Sequence, residues 1–267
     1  MTQARETVVS IRLKTPEEIE RMRAAGRIVG HVLRRLGELV APGVTTRELD
    51  AEAERLCLEA GGQCLFKGVP GRGKAGPFPG SICASINEEV VHGIPSDRTV
   101  RSGDILSVDF GVKLDGWCGD AARTFPVGDV AGDVRQLVDV TRNSLAIAVE
   151  MCRPGEKWSN VAGAMQGYVE GAGFSVVREF VGHGIGSEMH EEPKVPNFVS
   201  RELRLHDIVL QEGMVLAVEP MVNLGSAAVA YAPDGWTIRT RDGRPSAHFE
   251  HTIAVIANGA AVLTHDN

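Results

Sequence analysis

Apolar positions recur at helical spacing from residue 19 onward, at Ile19, Met22, Val29, Val32, Leu33, Leu36 and Val40, with arginines on the opposite side. One face of a helix therefore packs inward. Thr15, Pro16 and Glu18 mark its start: a capping hydroxyl, a proline at the first helical position and a glutamate placed to reach back. Pro42-Gly43 ends it. A second helix runs from about Thr46 through Leu49, Ala53, Leu56 and Cys57, and Gly61-Gly62 supplies its left-handed stop. The period then falls to two. Residues 105–110 read as a strand, Asp115-Gly116 as a hairpin turn, and residues 118–125 as the returning strand.

The pattern repeats. Pro42-Gly43, Leu49 and Ala60-Gly61 lie over Pro154-Gly155, Val161 and Ala172-Gly173 at a constant spacing of 112 positions. Residues 103–109 lie over residues 213–219 at a spacing of 110, which matches Asp109 with Glu219. We infer an internal duplication: two α/β halves related by a pseudo-two-fold axis.

In the hairpin, Asp109 and Asp120 fall opposite one another or one diagonal apart on the same face, since side chains alternate with period two. Glu250, expected on a strand over residues 247–255, becomes the partner of Asp120 as Glu219 is of Asp109. The duplication brings these four carboxylates together. Clustered anions repel and raise one another's pKa, and burial adds to the cost, so a pair of divalent cations is the natural compensation. Carboxylates with a single imidazole suit Mn, Fe, Co or Zn. His183, flanked by Gly182 and Gly184, is the fifth candidate ligand. Taken singly, each of these residues reads more readily as an exposed charge or a loop residue; the joint pattern carries the reading.

Composition narrows the classes. The chain has 267 residues, 43% hydrophobic and 24% charged, enough for a sizeable core. A net charge of −7 argues against DNA binding driven by phosphate neutralisation. Five cysteines without a C-x-x-C pair favour a reducing, cytoplasmic setting over a disulfide framework. No run approaches a membrane span, and the first twelve residues lack a signal peptide's apolar stretch.

Seven motifs in order resemble the type I methionine aminopeptidases: residues 85–95, 108–111, 119–124, 182–186, 189–193, 218–221 and 249–252. The resemblance covers residues 13–264 as a single catalytic domain with halves about 13–127 and 128–264, after a short extension of residues 1–12. It implies the pita-bread fold, an α/β (α+β) architecture of two halves around a central antiparallel sheet with a dinuclear metal site. It implies that Asp109 binds one metal, that His183 and Glu219 bind the other, and that Asp120 and Glu250 bridge. His92 and His190 match catalytic, substrate-contacting positions, with His190 beside the scissile carbonyl and Glu219 as proton shuttle. Cys64, Phe78, Cys83, Met189, Met221 and Trp236 match the methionine pocket, where sulfur and aromatic groups suit a thioether. Asn87, Glu89 and Ser246 match a monovalent-cation site.

The function so implied is removal of the initiator methionine from nascent polypeptide amino termini when the second residue is small, by a cytoplasmic monomer. Two alternatives share the fold: an Xaa-Pro aminopeptidase or dipeptidase, and a non-catalytic binding module. The first usually carries a separate amino-terminal domain, and the second usually lacks ligands that this chain keeps.

Two further motifs fail on their own residues. His190-Glu191 begins a helical zinc signature, but Lys194 replaces its second histidine and Pro193 would interrupt the helix. Residues 68–75 nearly spell a phosphate-binding loop, yet Ala75 replaces the required hydroxyl and prolines occupy the segment. That stretch reads as a Gly/Pro-rich surface loop, residues 67–77, whose Lys67, Arg72 and Lys74 could support a transient ribosome contact.

Overall fold

The computed structural model describes residues 11–265. Most of the expected extension, residues 1–12, lies outside them. The first half contains α1 (Pro16–Leu39), α2 (Thr46–Glu59), β1 (Gln63–Cys64), β2 (Cys83–Ile86), β3 (Glu89–Val91), β4 (Ile105–Leu114) and β5 (Trp117–Pro126). The second begins with α3 (Gly132–Met151), α4 (Trp158–Gly171), β6 (Ser175–Val176), β7 (Gly182–Gly184) and β8 (Glu191–Val195). After a short helix, α5 (Arg201–Leu205), come β9 (Val215–Val218), β10 (Met221–Asn223), β11 (Val229–Tyr231), β12 (Ile238–Thr240), β13 (Ser246–His248), β14 (His251–Ile256) and β15 (Gly259–Val262).

Both opening helices start where the sequence places them. Thr15 accepts from the Glu18 N–H while Glu18 accepts from the Thr15 N–H at 3.0 Å, and Thr45 and Glu48 repeat the arrangement on α2. The buried stripe of α1 is Ile19, Met22, Val29, Val32, Leu33 and Leu36. Val40 caps the helix in an extended conformation, its N–H still donating to Leu36 O, and packs half-buried against the same core. Gly119 lets α1 lie directly on β5, since a side chain there would meet the Gly26 main chain within 3.0 Å.

The elements of the two halves recur at the spacing seen in the sequence. α2 begins at Thr46 and α4 at Trp158, β1 at Gln63 and β6 at Ser175, β4 at Ile105 and β9 at Val215. Gly43, Gly61 and Gly103 take φ of 100°, 76° and 97°; Gly155, Gly173 and Gly213 take 86°, 87° and 90°. One core lies between α1, α2 and the β4/β5 hairpin, and another between α3, α4 and β9, β10, β13 and β14.

The expected continuous strand over residues 247–255 is interrupted. β13 ends at His248 and β14 begins at His251; opposite them, β9 ends at Val218 and β10 begins at Met221. β10 pairs with β13 (Met221 with His248) and β9 with β14 (Val218 with His251), so both segments change sheets at the same level. The reason is a competing partner. The Glu250 N–H donates to Ala122 O at 2.9 Å and the Ala122 N–H to Glu250 O at 3.4 Å, which draws the Glu250 main chain onto β5. This cross-link joins the halves and leaves Glu219 and Glu250 at the break.

Candidate metal centre

β4 and β5 pair Asp109 with Ala122 and Gly111 with Asp120. The two aspartates are therefore diagonal neighbours on one face, the arrangement the hairpin predicts. The Thr252 hydroxyl fixes Asp120 by accepting from its N–H at 3.0 Å and donating to its carbonyl at 2.8 Å. The adjacent tie between Ala122 and Glu250 then delivers Glu250 to the same place.

The ligating atoms of Asp120, His183 and Glu250 lie within 4.8 Å of one another, as do those of Glu219, His248 and Glu250. His183 Nδ1 lies 2.9 Å from the Gly184 carbonyl, which can only accept, so Nδ1 carries the proton and Nε2 faces inward with a free lone pair. That Nε2 is 3.7 Å from Glu219 Oε1. Asp109, Asp120, His183, Glu219 and Glu250 all line one cavity of about 330 Å³.

The electrostatics are unfavourable without compensation. Burial, then the charges of Asp120 and Glu219, hold the Asp109 carboxyl well above its usual range. Burial also raises Glu219 and Glu250, with the neighbouring acids adding to it, and pushes Asp120 up to about 7. Burial, with His190 contributing, lowers His183 to about 4, so its imidazole is neutral across the physiological range. Asp109 Oδ1, Asp120 Oδ1 and Glu250 Oε1 are buried without a hydrogen-bond partner. Oxygens left bare in this way fit coordination to hard or borderline divalent cations.

The cavity wall is mostly apolar. Phe78 and Trp236 meet edge to face at 5.1 Å, with Cys83, Met189 and Phe66 beside them. His190 lies 4.3 Å from the His183 ring, and His92 is seated against Phe180 at 5.6 Å. Burial, reinforced by Arg72 and His190, lowers His92 to about 4; burial also lowers His190. Two residues expected in the pocket are elsewhere. Cys64 packs with the first-half core, opposite Val112 in the β1/β4 register. Met221 is wholly buried among Val90, Val91, Val177, Val229 and Ile238.

Sequence reasoning missed Phe66, Phe180, Tyr231 and His248. His248 carries no local signal, because the strand is broken between it and Glu250. Asn87 and Ser246 are neighbours, the Ser246 N–H donating to Asn87 O at 2.8 Å. Their side chains are engaged, Asn87 with Asp104 and Ser246 with Val222 O, while the Glu89 carboxylate is held by Arg98 and Arg239. The residues 68–75 stretch carries no helix, and His190-Glu191 leads into β8, so neither alternative motif has the context it needs.

The family model described as Metallopeptidase family M24 matches residues 20–257. The chain belongs to metallopeptidase family M24. Within that family it is 47% identical over 251 residues to methionine aminopeptidase 1 of Bacillus subtilis, an alignment covering 94% of this chain and 98% of that protein. The crystal structure of methionine aminopeptidase from Thermotoga maritima superposes with a TM-score of 0.91 at 41% identity, covering 96% of this chain and all of that one. The Xaa-Pro dipeptidase of Bacillus anthracis shares the fold alone, with a TM-score of 0.73 at 23% identity; the match covers 96% of this chain and 62% of that one. The M24 chain thus has the pita-bread fold, and its carboxylate cluster is a candidate site for the divalent metal ions that the family implies.

Proposed function

We propose that this chain is a methionine aminopeptidase that removes the amino-terminal methionine from new polypeptides when the second residue is small. The observation that carries the reading is one cavity in which five ligand-type side chains meet a wall of Phe66, Phe78, Cys83, Met189 and Trp236. That wall suits an unbranched thioether, which gains from sulfur and aromatic contacts. The likeness to the Bacillus and Thermotoga enzymes over nearly their whole lengths supports it. Residues 13–264 then form one catalytic domain with halves about 13–127 and 128–264.

Asp109 would hold one divalent ion, His183 and Glu219 the other, with Asp120 and Glu250 shared; Mn, Fe, Co and Zn all suit this donor set. Bound there, such ions supply Lewis-acid polarisation of a carbonyl and a lowered water pKa. The chain's own groups do the rest. Glu219, raised by burial, takes a proton from the attacking water and hands it to the leaving amine. His190, on the cavity wall beside His183, donates to the oxygen that gains charge. His92 and Phe180 close the wall beyond the scissile bond and leave room for a small second residue.

The partners are nascent amino termini, met by a monomer in the cytoplasm; among the described residues no helix is long and apolar enough to cross a membrane. A ribosome contact through the loop at 67–77 would be weak, since Lys67 is paired with Glu54 at 2.6 Å and Arg72 donates to the Tyr231 hydroxyl. A monovalent cation near Asn87 and Ser246 would meet main-chain oxygens, because the side chains are engaged.

The deciding assay is methionine release from Met-Ala-Ser against hydrolysis of Xaa-Pro peptides, after chelation and reloading with single metals. Metal-dependent release from Met-Ala-Ser supports the reading; turnover of Xaa-Pro peptides alone overturns it.

A further inference from the structure

Glu219 stands between two imidazoles. Its Oε1 is 3.7 Å from His183 Nε2, and its Oε2 is 3.8 Å from His248 Nε2. His183 belongs to the expected ligand set. His248 has no such assignment, yet it is 1% exposed and its Nε2 has no hydrogen-bond partner. A buried ring nitrogen left unpaired is costly unless a partner arrives in the working state.

The main chain of His248 is held firmly. Its N–H donates to Thr124 Oγ1 at 2.9 Å and its carbonyl accepts from the same hydroxyl at 2.8 Å. Thr124 is itself buried against Ser107 across the hairpin at 2.8 Å. Opposite Met221 in the β10/β13 register, His248 is placed one residue past the Glu219-Pro220 break. The imidazole thus sits on a rigid mount behind the carboxylate and outside the group of residues lining the cavity. A gap of 3.8 Å is too long for a hydrogen bond but small enough for a side-chain rotation to close.

We propose that His248 is a positioning residue: its Nε2–H donates to Glu219 Oε2, directing Oε1 toward the ion shared with His183 and keeping Glu219 from swinging away. Groups of this kind hold a metal ligand in orientation, and removing one typically weakens metal affinity by about ten- to a hundredfold. The inference rests on Glu219 being a metal ligand.

The test compares wild type, His248→Gln and His248→Asn, each stripped by a chelator and titrated with Mn²⁺ in a calorimeter. Gln carries an N–H donor of similar reach, whereas Asn is one methylene shorter and cannot span the gap. Mn²⁺ affinity should stay within about threefold of wild type for Gln and fall by about tenfold or more for Asn. At saturating Mn²⁺ the Asn variant should lose kcat on Met-Ala-Ser with KM little changed. Wild-type Mn²⁺ affinity in the Asn variant overturns the proposal. So does a folded Gln variant weakened as much as Asn, because loss that a matched donor does not rescue is packing alone. A wild-type protein that binds no Mn²⁺ removes the metal-site reading itself, and His248 with it; normal wild-type binding with indifferent variants removes only the role of His248.

Discussion

The main chains of Ala122 and Glu250 exchange two hydrogen bonds, 2.9 and 3.4 Å long, between the hairpin of the first half and the interrupted strand of the second. On either side, Thr252 clasps the Asp120 main chain and Thr124 clasps that of His248. These three ties convert an internal duplication into one site, because they fix acids from both halves at a common level.

If that ladder positions the site, Thr252→Val should destabilise the metal-free protein by about 1–3 kcal/mol, since the buried N–H and carbonyl of Asp120 both lose their partner. Urea unfolding of the stripped protein measures this. The same variant should also bind Mn²⁺ less tightly, and unchanged stability would mean that the clasp is incidental.

Protons and metals compete for the same carboxylates. Asp120, raised to about 7 by burial, and Asp109, Glu219 and Glu250, raised in the same direction, keep their protons longer folded than unfolded. Their contribution to metal-free stability is therefore full below the unfolded carboxylate range near 4 and is lost as pH rises through about 7. The melting-temperature gain from Mn²⁺ should accordingly grow between pH 5 and pH 7.5. A gain that is flat or shrinking over that range contradicts the clustered-acid account.

His190→Ala removes a wall donor while leaving all five ligand-type side chains in place. Metal content should stay near wild type while kcat on Met-Ala-Ser falls by roughly a hundredfold or more, as for other lost oxyanion donors. Side-by-side metal analysis and steady-state kinetics check this, and near-normal kcat would remove the role given to His190.

Two residues expected in the pocket, Cys64 and Phe78, should behave differently. Cys64→Ala lies in the first-half core and should leave KM for Met-Ala-Ser unchanged, at some cost in stability. Phe78→Ala opens the cavity wall and should raise KM by about five- to a hundredfold, the equivalent of losing roughly 1–3 kcal/mol of apolar contact. Peptide kinetics on both variants distinguish the assignments.

Much of this was legible in the sequence because the signals are local. Thr15 with Glu18 and Thr45 with Glu48 are complete capping boxes, and Gly43, Gly61 and Gly103 mark turns that only a left-handed residue makes cheaply. Period two and a two-residue turn were enough to put Asp109 and Asp120 on one face. The break at Glu250 was hidden, because local alternation does not say that β5 competes for its main chain. Cys64 was misplaced for a related reason: a sulfur side chain suits either a pocket or a core, and the strand's facing decides which. His248 went unnoticed since its value depends on where Glu219 turns, a relationship between segments nearly thirty residues apart.

The central claim, that Asp109, Asp120, His183, Glu219 and Glu250 converge to hold a pair of divalent ions, is tested most directly by anomalous diffraction from crystals of the stripped protein soaked in Mn²⁺. Two strong peaks within coordination distance of these five side chains are expected. Peaks elsewhere, or an empty cavity in protein that releases methionine from Met-Ala-Ser, would contradict it.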